Sequence, residues 1–179
     1  VPYIIGLDKW LDGKLDDAAK TYLKDFGAAT ASNGAVGWYH IENITPEAAQ
    51  YGQDLIAENA QVYVVDDAEL ERVYKSYPVI WKKKDATPKL CFMGCPHMSL
   101  EQLIDWTGKI EDALQKEGKT KVCIPTVFTA SPAVLKKFAE TPYAATLEKT
   151  GVITSYICPL MYMNNPLSEK IPVITSSNK

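Results

Sequence analysis

Positive charge, histidine and long apolar runs are all scarce in this sequence. The 179 residues carry a net charge of −3 and contain only two histidines. Without an excess of Lys and Arg, neither a nucleic-acid surface nor a polybasic membrane patch is expected. Apolar runs such as Val62 to Val65 and Val79 to Trp81 are far too short to span a bilayer. No charged-then-apolar leader is evident, so we expect a cytoplasmic protein.

The cysteines Cys91, Cys95, Cys123 and Cys158 are even in number, which would suit two disulfides in a small secreted domain. This chain is large and apolar enough, at 46% hydrophobic residues, to fold around a core without them. We therefore expect reduced thiols. Each of them could simply pack as a buried small side chain, and Cys123 fits that interpretation best.

Short apolar runs alternate with helical patterns along the chain. Helices are predicted from Asp16 to about Ser32, after Thr45-Pro46-Glu47, after Asp66 with Glu69 closing a capping box, after Ser99 with Gln102 in the same role, after Ser131-Pro132 and after Thr141-Pro142. Strands are predicted at Gly37 to Ile41, Val62 to Val65, Lys89 to Met93, Lys121 to Pro125 and Val152 to Ile157. The lysines Lys82, Lys83 and Lys84 predict a solvated loop.

This alternation predicts an α/β fold with a mostly parallel sheet flanked by helices on both faces. We expect one domain over residues 1–179, with a division into sub-lobes at about 1–85 and 86–179 as the alternative. Ligands of such sheets bind at the carboxyl ends of the strands. Polar and sulfur side chains follow those ends, and the prediction is that they share one rim: Cys95, His97, Thr126, Ser131 and Cys158.

The stretch FMGCPHMS at residues 92–99 places a thiol two positions from an imidazole. Cys91, Cys95 and His97 could begin a zinc site, although no second pair of ligands follows. Cys95 and His97 could form a nucleophilic pair, which the intervening proline disfavours. Cys95 and Cys158 both precede proline, as is common for thiolates on loops that bind iron–sulfur clusters, but a third ligand would be needed. The residues alone leave these alternatives open.

Four segments together resemble the large subunit or domain of the aconitase X family. They are VPYIIGL at the start, LKDFGAATASNGAVGWYHIENITPEA at residues 23–48, FMGCPHMSLEQL at residues 92–103, and TSSNK at the end. The signature G-C-P-H-x-S, followed by a capped helix, is specific, and the block ending in T-P-E-A is more so. The segments occur in the order of the family and extend over the whole chain.

The resemblance implies an aconitase-like domain of a hydro-lyase that dehydrates a small hydroxy acid, such as cis-3-hydroxyproline or phosphomevalonate. It implies an iron–sulfur cluster with Cys95 and Cys158 as two of its three cysteine ligands and the third outside this chain. Substrate contacts are expected from His40, His97, Ser177 and Lys179. A small swivelling domain or subunit is expected to complete the enzyme, so we expect this chain by itself to be inactive and to hold a cluster poorly.

Two departures from the family pattern bear on this interpretation. Tyr156-Ile157 stands where members have Asp-Thr before the second cysteine, and Ser176 replaces an asparagine in the terminal T-N-S-x-K pattern. The first change removes a carboxylate beside the expected cluster. It favours the rival hypothesis of a non-catalytic α/β module that binds a small anion or a partner subunit, whereas the intact G-C-P-H favours the enzyme.

Overall fold

The computed structural model describes residues 1–77, 83, 85–158, 161 and 170–177. Within these residues the chain forms six strands and six α-helices. The strands are β1 (Tyr3–Ile4), β2 (His40–Ile41), β3 (Leu90–Met98), β4 (Thr126–Ala130), β5 (Ile153–Ser155) and β6 (Val173–Thr175). The helices are α1 (Asp17–Gly34), α2 (Pro46–Tyr51), α3 (Asp67–Ser76), α4 (Leu100–Lys116), α5 (Pro132–Ala139) and α6 (Pro142–Lys149). Two short 3-10 helices cover Leu7–Leu11 and Gly52–Leu55.

The chain divides into two units. The first comprises Val1–Lys14 and Tyr39–Ala86, and the second comprises Leu15–Trp38 and Thr87–Lys179. The boundary at Ala86 lies close to the one expected near residue 85, but the segment with α1 belongs to the second unit rather than the first.

The second unit is built on a parallel sheet in the order β5-β4-β3-β6. Its core joins the inner face of β3 and β4 to α4, α5 and α6, with Leu103, Phe128 and Leu147 almost fully buried. Since every pairing is parallel, all four strands of this sheet end at the same edge. The predicted α/β class with a mostly parallel sheet is confirmed.

Helix α4 begins as the sequence predicts. The Ser99 hydroxyl accepts from the Gln102 backbone N–H at 3.2 Å, and the Gln102 side-chain Oε1 accepts from the Ser99 N–H at 3.0 Å. This reciprocal capping box satisfies two of the donors that a helix start leaves free. It also fixes the orientation of the Gln102 amide, which matters for the site below.

The first unit is small. β1 and β2 pair in parallel, with Tyr3 opposite His40 and Ile4 opposite Ile41. Ile41, Ile44 and Ala48 form its most buried positions. Thr45 precedes α2 as predicted, but its hydroxyl accepts from the Ile41 N–H at 3.0 Å and caps no helical donor. At α3, Asp66 caps as predicted, whereas Glu69 pairs with Arg72.

Three strand predictions are wrong in part or whole. Val62 to Val65 forms no strand, and its four side chains are 64 to 89% exposed, because no neighbouring strand in the described chain pairs with the segment. Lys121 to Pro125 precedes a strand instead of forming one. The predicted strand Gly37 to Ile41 shrinks to the two residues of β2. In addition β1 and β6 have no counterpart among the sequence predictions.

Among the residues that the structure describes, no helix is both long and apolar enough to cross a bilayer. Of the lysine cluster, Lys83 is exposed, while Lys82 and Lys84 lie outside the residues that the structure describes.

Candidate active site

A pocket of about 120 Å³ opens at the carboxyl edge of the parallel sheet in the second unit. Pockets for drug-sized ligands run to roughly 300–1,000 Å³, so this one suits a small molecule or one end of a larger one. It is lined by Asp25, Met93, Gly94, Cys95, Pro96, Met98, Gln102, Trp106, Ser176 and Ser177. The predicted turn FMGCPHMS therefore contributes much of one wall.

The backbone at Gly94 makes this wall possible. Gly94 has φ of +114°, and a Cβ at this position would overlap the carbonyl and hydroxyl of Thr129 on β4. The Thr129 hydroxyl donates instead to the Gly94 carbonyl at 2.7 Å. The register of β3 against β4 shifts between Met93 and Met98, so the strand bends away from regular pairing at this point. This irregularity brings Cys95 and Pro96 to the pocket.

Cys95 is 7% exposed and lines the pocket, and the Cys95–Pro96 peptide is cis. Its backbone N–H donates to the Ser177 hydroxyl at 3.1 Å, across 82 positions of sequence. The Ser177 N–H in turn donates to Thr175 Oγ1 at 3.0 Å, on the last residue of β6. β6 thus positions Ser177, a predicted substrate contact, directly beside a predicted metal ligand.

A second polar group reaches the pocket from α1. The Asp25 carboxylate accepts from Gln102 Nε2 at 2.8 Å and from Lys24 Nζ at 2.7 Å. Sequence reasoning missed Asp25 and assigned Gln102 only a capping role. The available signal was the location of Asp25 inside the segment 23–48 that carries the family resemblance. Sequence spacing could not reveal the contact between Asp25 and Gln102, because these residues are 77 positions apart.

Cys158 follows β5 by three residues and is exposed. On the sheet, Ser155 at the end of β5 is opposite Thr129, and Thr129 contacts Gly94 on β3. Cys95 lies inside β3, near its carboxyl end, and Cys158 follows β5. Both strands end at the same edge of the sheet, separated by β4. The two departures sit here also. Tyr156 and Ile157 are exposed, and Ser176 lines the pocket.

The remaining rim predictions have mixed outcomes. Ser131 does follow β4, where its hydroxyl caps α5 by accepting from the Val134 N–H at 3.3 Å. The prediction for Thr126 is wrong. β4 starts at Thr126, so this residue lies at the amino end of the strand, opposite Cys91. The strand begins one residue after the predicted one ends, which moves Thr126 to the other edge of the sheet.

The histidines are not among the residues that line the pocket. His97 lies on β3, and its Nε2 is buried without a hydrogen-bond partner among the described residues. His40 belongs to the first unit, with its ring 6.4 Å from that of Tyr3 and its Nδ1 likewise unpartnered in the part of the chain described. Lys179 lies outside the described residues. The roles of these residues stay predictions.

All four cysteines are free thiols, as expected. Cys91 packs against the core, and burial raises the pKa of its thiol, partly offset by a hydrogen bond with Thr126. Burial of Cys123 is a wrong prediction, since this residue is exposed in the segment before β4. Among the described residues, no group of three or more His, Cys, Asp or Glu side chains is arranged to hold a metal ion.

These environments predict two classes of thiol. At pH 8, Cys123 and Cys158 are expected to react rapidly with an aromatic disulfide reagent. Cys95, which is buried, and Cys91, which is half-buried and whose thiol pKa is raised by burial, are expected to react at least about tenfold more slowly. Reaction in denaturant, where all four should react at one rate, is the control. Equal rates for the four thiols in the folded protein would contradict the burial described above.

Known proteins resemble this chain in sequence and in fold. Residues 1–75 match the family model for the aconitase X second domain. The whole chain superimposes on 41% of a solved structure, the holo-form of aconitase X from Thermococcus kodakaraensis, with a TM-score of 0.69 and 25% identity. The resemblance to the aconitase X family is confirmed.

Two curated relatives, both named as dehydratases, are similar to the chain in sequence. The chain is 30% identical over 161 residues to the phosphomevalonate dehydratase large subunit of Methanosarcina mazei, covering 89% of this chain and 35% of that protein. It is 34% identical over 106 residues to the cis-3-hydroxy-L-proline dehydratase of Hypocrea jecorina, covering 58% of this chain and 16% of that enzyme. The chain thus spans well under half of the length of each of these relatives.

Proposed function

We propose that this chain is the part of an aconitase X-type hydro-lyase that supplies the substrate pocket and two cysteine ligands, Cys95 and Cys158, of an iron–sulfur cluster. The observation that carries the proposal is the shared sheet edge. Cys95 lines a pocket there, and Cys158 follows a strand that ends there. Relatives of this chain are named dehydratases, which supports dehydration as the class of reaction.

The donors present fit two positions of a cluster site. Thiolates are the ligands that iron–sulfur clusters use, and one of the two is already oriented by a hydrogen bond from its backbone to Ser177. The third ligand and a small swivelling domain or subunit are proposed to come from outside this chain. When bound, a cluster with an open position supplies Lewis acidity toward the hydroxyl and carboxylate oxygens of a hydroxy acid.

The residues of this chain would bind and orient the substrate. The Ser177 hydroxyl accepts from Cys95 N–H and retains its own proton for donation to a substrate carboxylate. Met93, Met98 and Trp106 supply an apolar wall that excludes water and so strengthens polar contacts in the pocket. His40, His97 and Lys179 remain proposed substrate contacts.

The test uses the complete gene product, reconstituted without oxygen with ferrous iron and sulfide together with its small subunit. Wild type is expected to bind iron and sulfide, to show broad visible absorption, and to dehydrate a hydroxyproline or phosphomevalonate. Cys95→Ser and Cys158→Ser are expected to lose the bound iron and sulfide, the visible absorption and the dehydration. Cys123→Ser is the matched control, because Cys123 is an exposed thiol ahead of the amino end of β4, and it should retain all three.

Three results would contradict the proposal. Retention of the cluster by both Cys95→Ser and Cys158→Ser would show that other residues are the ligands. Absence of dehydration by a fully reconstituted wild type, with small-anion binding preserved, would favour the non-catalytic α/β module, a role to which Tyr156-Ile157 is suited. A stoichiometric cluster on this chain by itself would show that the third ligand is not external.

A further inference from the structure

The side chain of Asp25 lies in the pocket with no role in the helix that carries it. It occupies the interior of α1, away from both ends, and its carboxylate lines the cavity. Each carboxylate oxygen has one donor: Lys24 Nζ at 2.7 Å from Oδ1 and Gln102 Nε2 at 2.8 Å from Oδ2. An ionised carboxylate offers about four acceptor positions, so capacity remains for a ligand.

The donor from α4 cannot turn away. The Oε1 atom of Gln102 is engaged by the Ser99 N–H in the capping box, which leaves Nε2 directed at Asp25. A reversed amide would bring its oxygen to the carboxylate and lose both contacts. The capping box of α4 therefore holds Asp25 as a fixed acceptor, and side chains locked in this way make sites selective.

The pocket also contains a donor. Ser177 Oγ accepts from the Cys95 N–H, so the Ser177 hydroxyl proton is available to a ligand acceptor. Trp106 also lines the pocket, and Lys109 Nζ already lies over its ring, 5.3 Å from the centroid. A ligand with an acceptor at one end and a protonated nitrogen at the other would complement both polar groups. A phosphate would meet the Asp25 carboxylate with charge of the same sign, offset in part by Lys24 Nζ, which pairs with Oδ1 at 2.7 Å.

We infer that Asp25 is a specificity-determining residue that selects a hydroxy acid carrying a protonated amine over one carrying a phosphate. The inference rests on the proposed function, because it takes this pocket as the substrate site. The two dehydratase classes among the relatives differ in this group: hydroxyproline carries a secondary ammonium, and phosphomevalonate carries a phosphate.

The experiment is equilibrium binding by calorimetry to the complete gene product with its small subunit, using cis-3-hydroxy-L-proline and phosphomevalonate as probes. Wild type is expected to bind the amine-bearing probe more tightly. Asp25→Asn should reduce the ratio of the two dissociation constants, phosphomevalonate over cis-3-hydroxy-L-proline, by about tenfold or more. The reason is that a hydrogen bond to a charged group is lost. Asp25→Glu, which keeps the charge, should retain most of it.

Asp17→Asn is the matched control. It removes one carboxylate of the same helix that is also paired with a lysine, Lys20, but is exposed and outside the pocket. It should leave the preference unchanged, and melting curves check that each variant folds.

Tighter binding of phosphomevalonate by wild type, binding of neither probe, or an equal loss for both probes in Asp25→Asn would each overturn the inference. Turnover is measured separately. Preferential binding without dehydration would contradict only the proposed function, whereas dehydration without the preference would contradict only the role of Asp25.

Discussion

Gly94→Ala is expected to lower the free energy of unfolding by about 3 kcal/mol, from strain at positive φ and from overlap with a packed neighbour. At φ of +114° an L side chain is disfavoured, and the new methyl group would meet the carbonyl of Thr129. Relief requires β3 to move away from β4, which would also break the hydrogen bond between Thr129 and the Gly94 carbonyl. Urea denaturation monitored by circular dichroism measures the change.

Gly108→Ala is the control for Gly94→Ala. Gly108 lies inside α4, and a Cβ there meets nothing within 4 Å. The same substitution is expected to be neutral or to stabilise by up to about 1 kcal/mol, because alanine is the better helix former. Similar effects of the two substitutions would show that the approach of Gly94 to Thr129 is not as close as described.

Leu103→Ala should cost about 3 kcal/mol, within the range found when a leucine is removed from a packed core. Leu103 is 0% exposed and belongs to the cluster that joins α4 to β3 and β4. The substitution leaves a cavity that the surrounding side chains fill only in part. The midpoint of urea unfolding is the measurement, with an unchanged slope expected if the native fold is kept.

Leu70→Ala provides the matched comparison in helix α3. The residue type and the substitution are the same, but Leu70 is 58% exposed. A change within about 0.5 kcal/mol is expected at this surface position. Should Leu70→Ala prove as destabilising as Leu103→Ala, Leu70 would have to be covered by something beyond the described chain.

Local signals predicted helix starts well where a short-range bond decides them. Asp66, Ser99 and Ser131 each cap a helix with the side chain, as predicted, and so does Asp16, where the first predicted helical pattern begins. Thr45 and Thr141 precede proline at a helix start, yet neither makes the capping bond. The Thr141 hydroxyl donates to the Phe138 carbonyl at 2.7 Å instead, a contact that the sequence gives no reason to prefer.

Strand predictions were less reliable, because a strand exists only where a partner pairs with it. Val62 to Val65 has the composition of a buried strand but pairs with nothing in the described chain and is exposed. β6, whose segment was not predicted to be a strand, completes the edge of the sheet beside β3. Composition measures suitability for a sheet, and pairing depends on segments far away in sequence.

The sequence by itself determined the α/β class, most of the helix caps and the family resemblance, because these depend on local patterns and short-range bonds. It also singled out Cys95, Cys158 and Ser177. Only the tertiary structure decided that Ser177 bonds to Cys95, that Thr126 lies at the opposite edge, and that Asp25 meets Gln102. The first two facts depend on strand order and register, and the third depends on the approach of α1 to α4. Together they bring together residues up to 82 positions apart.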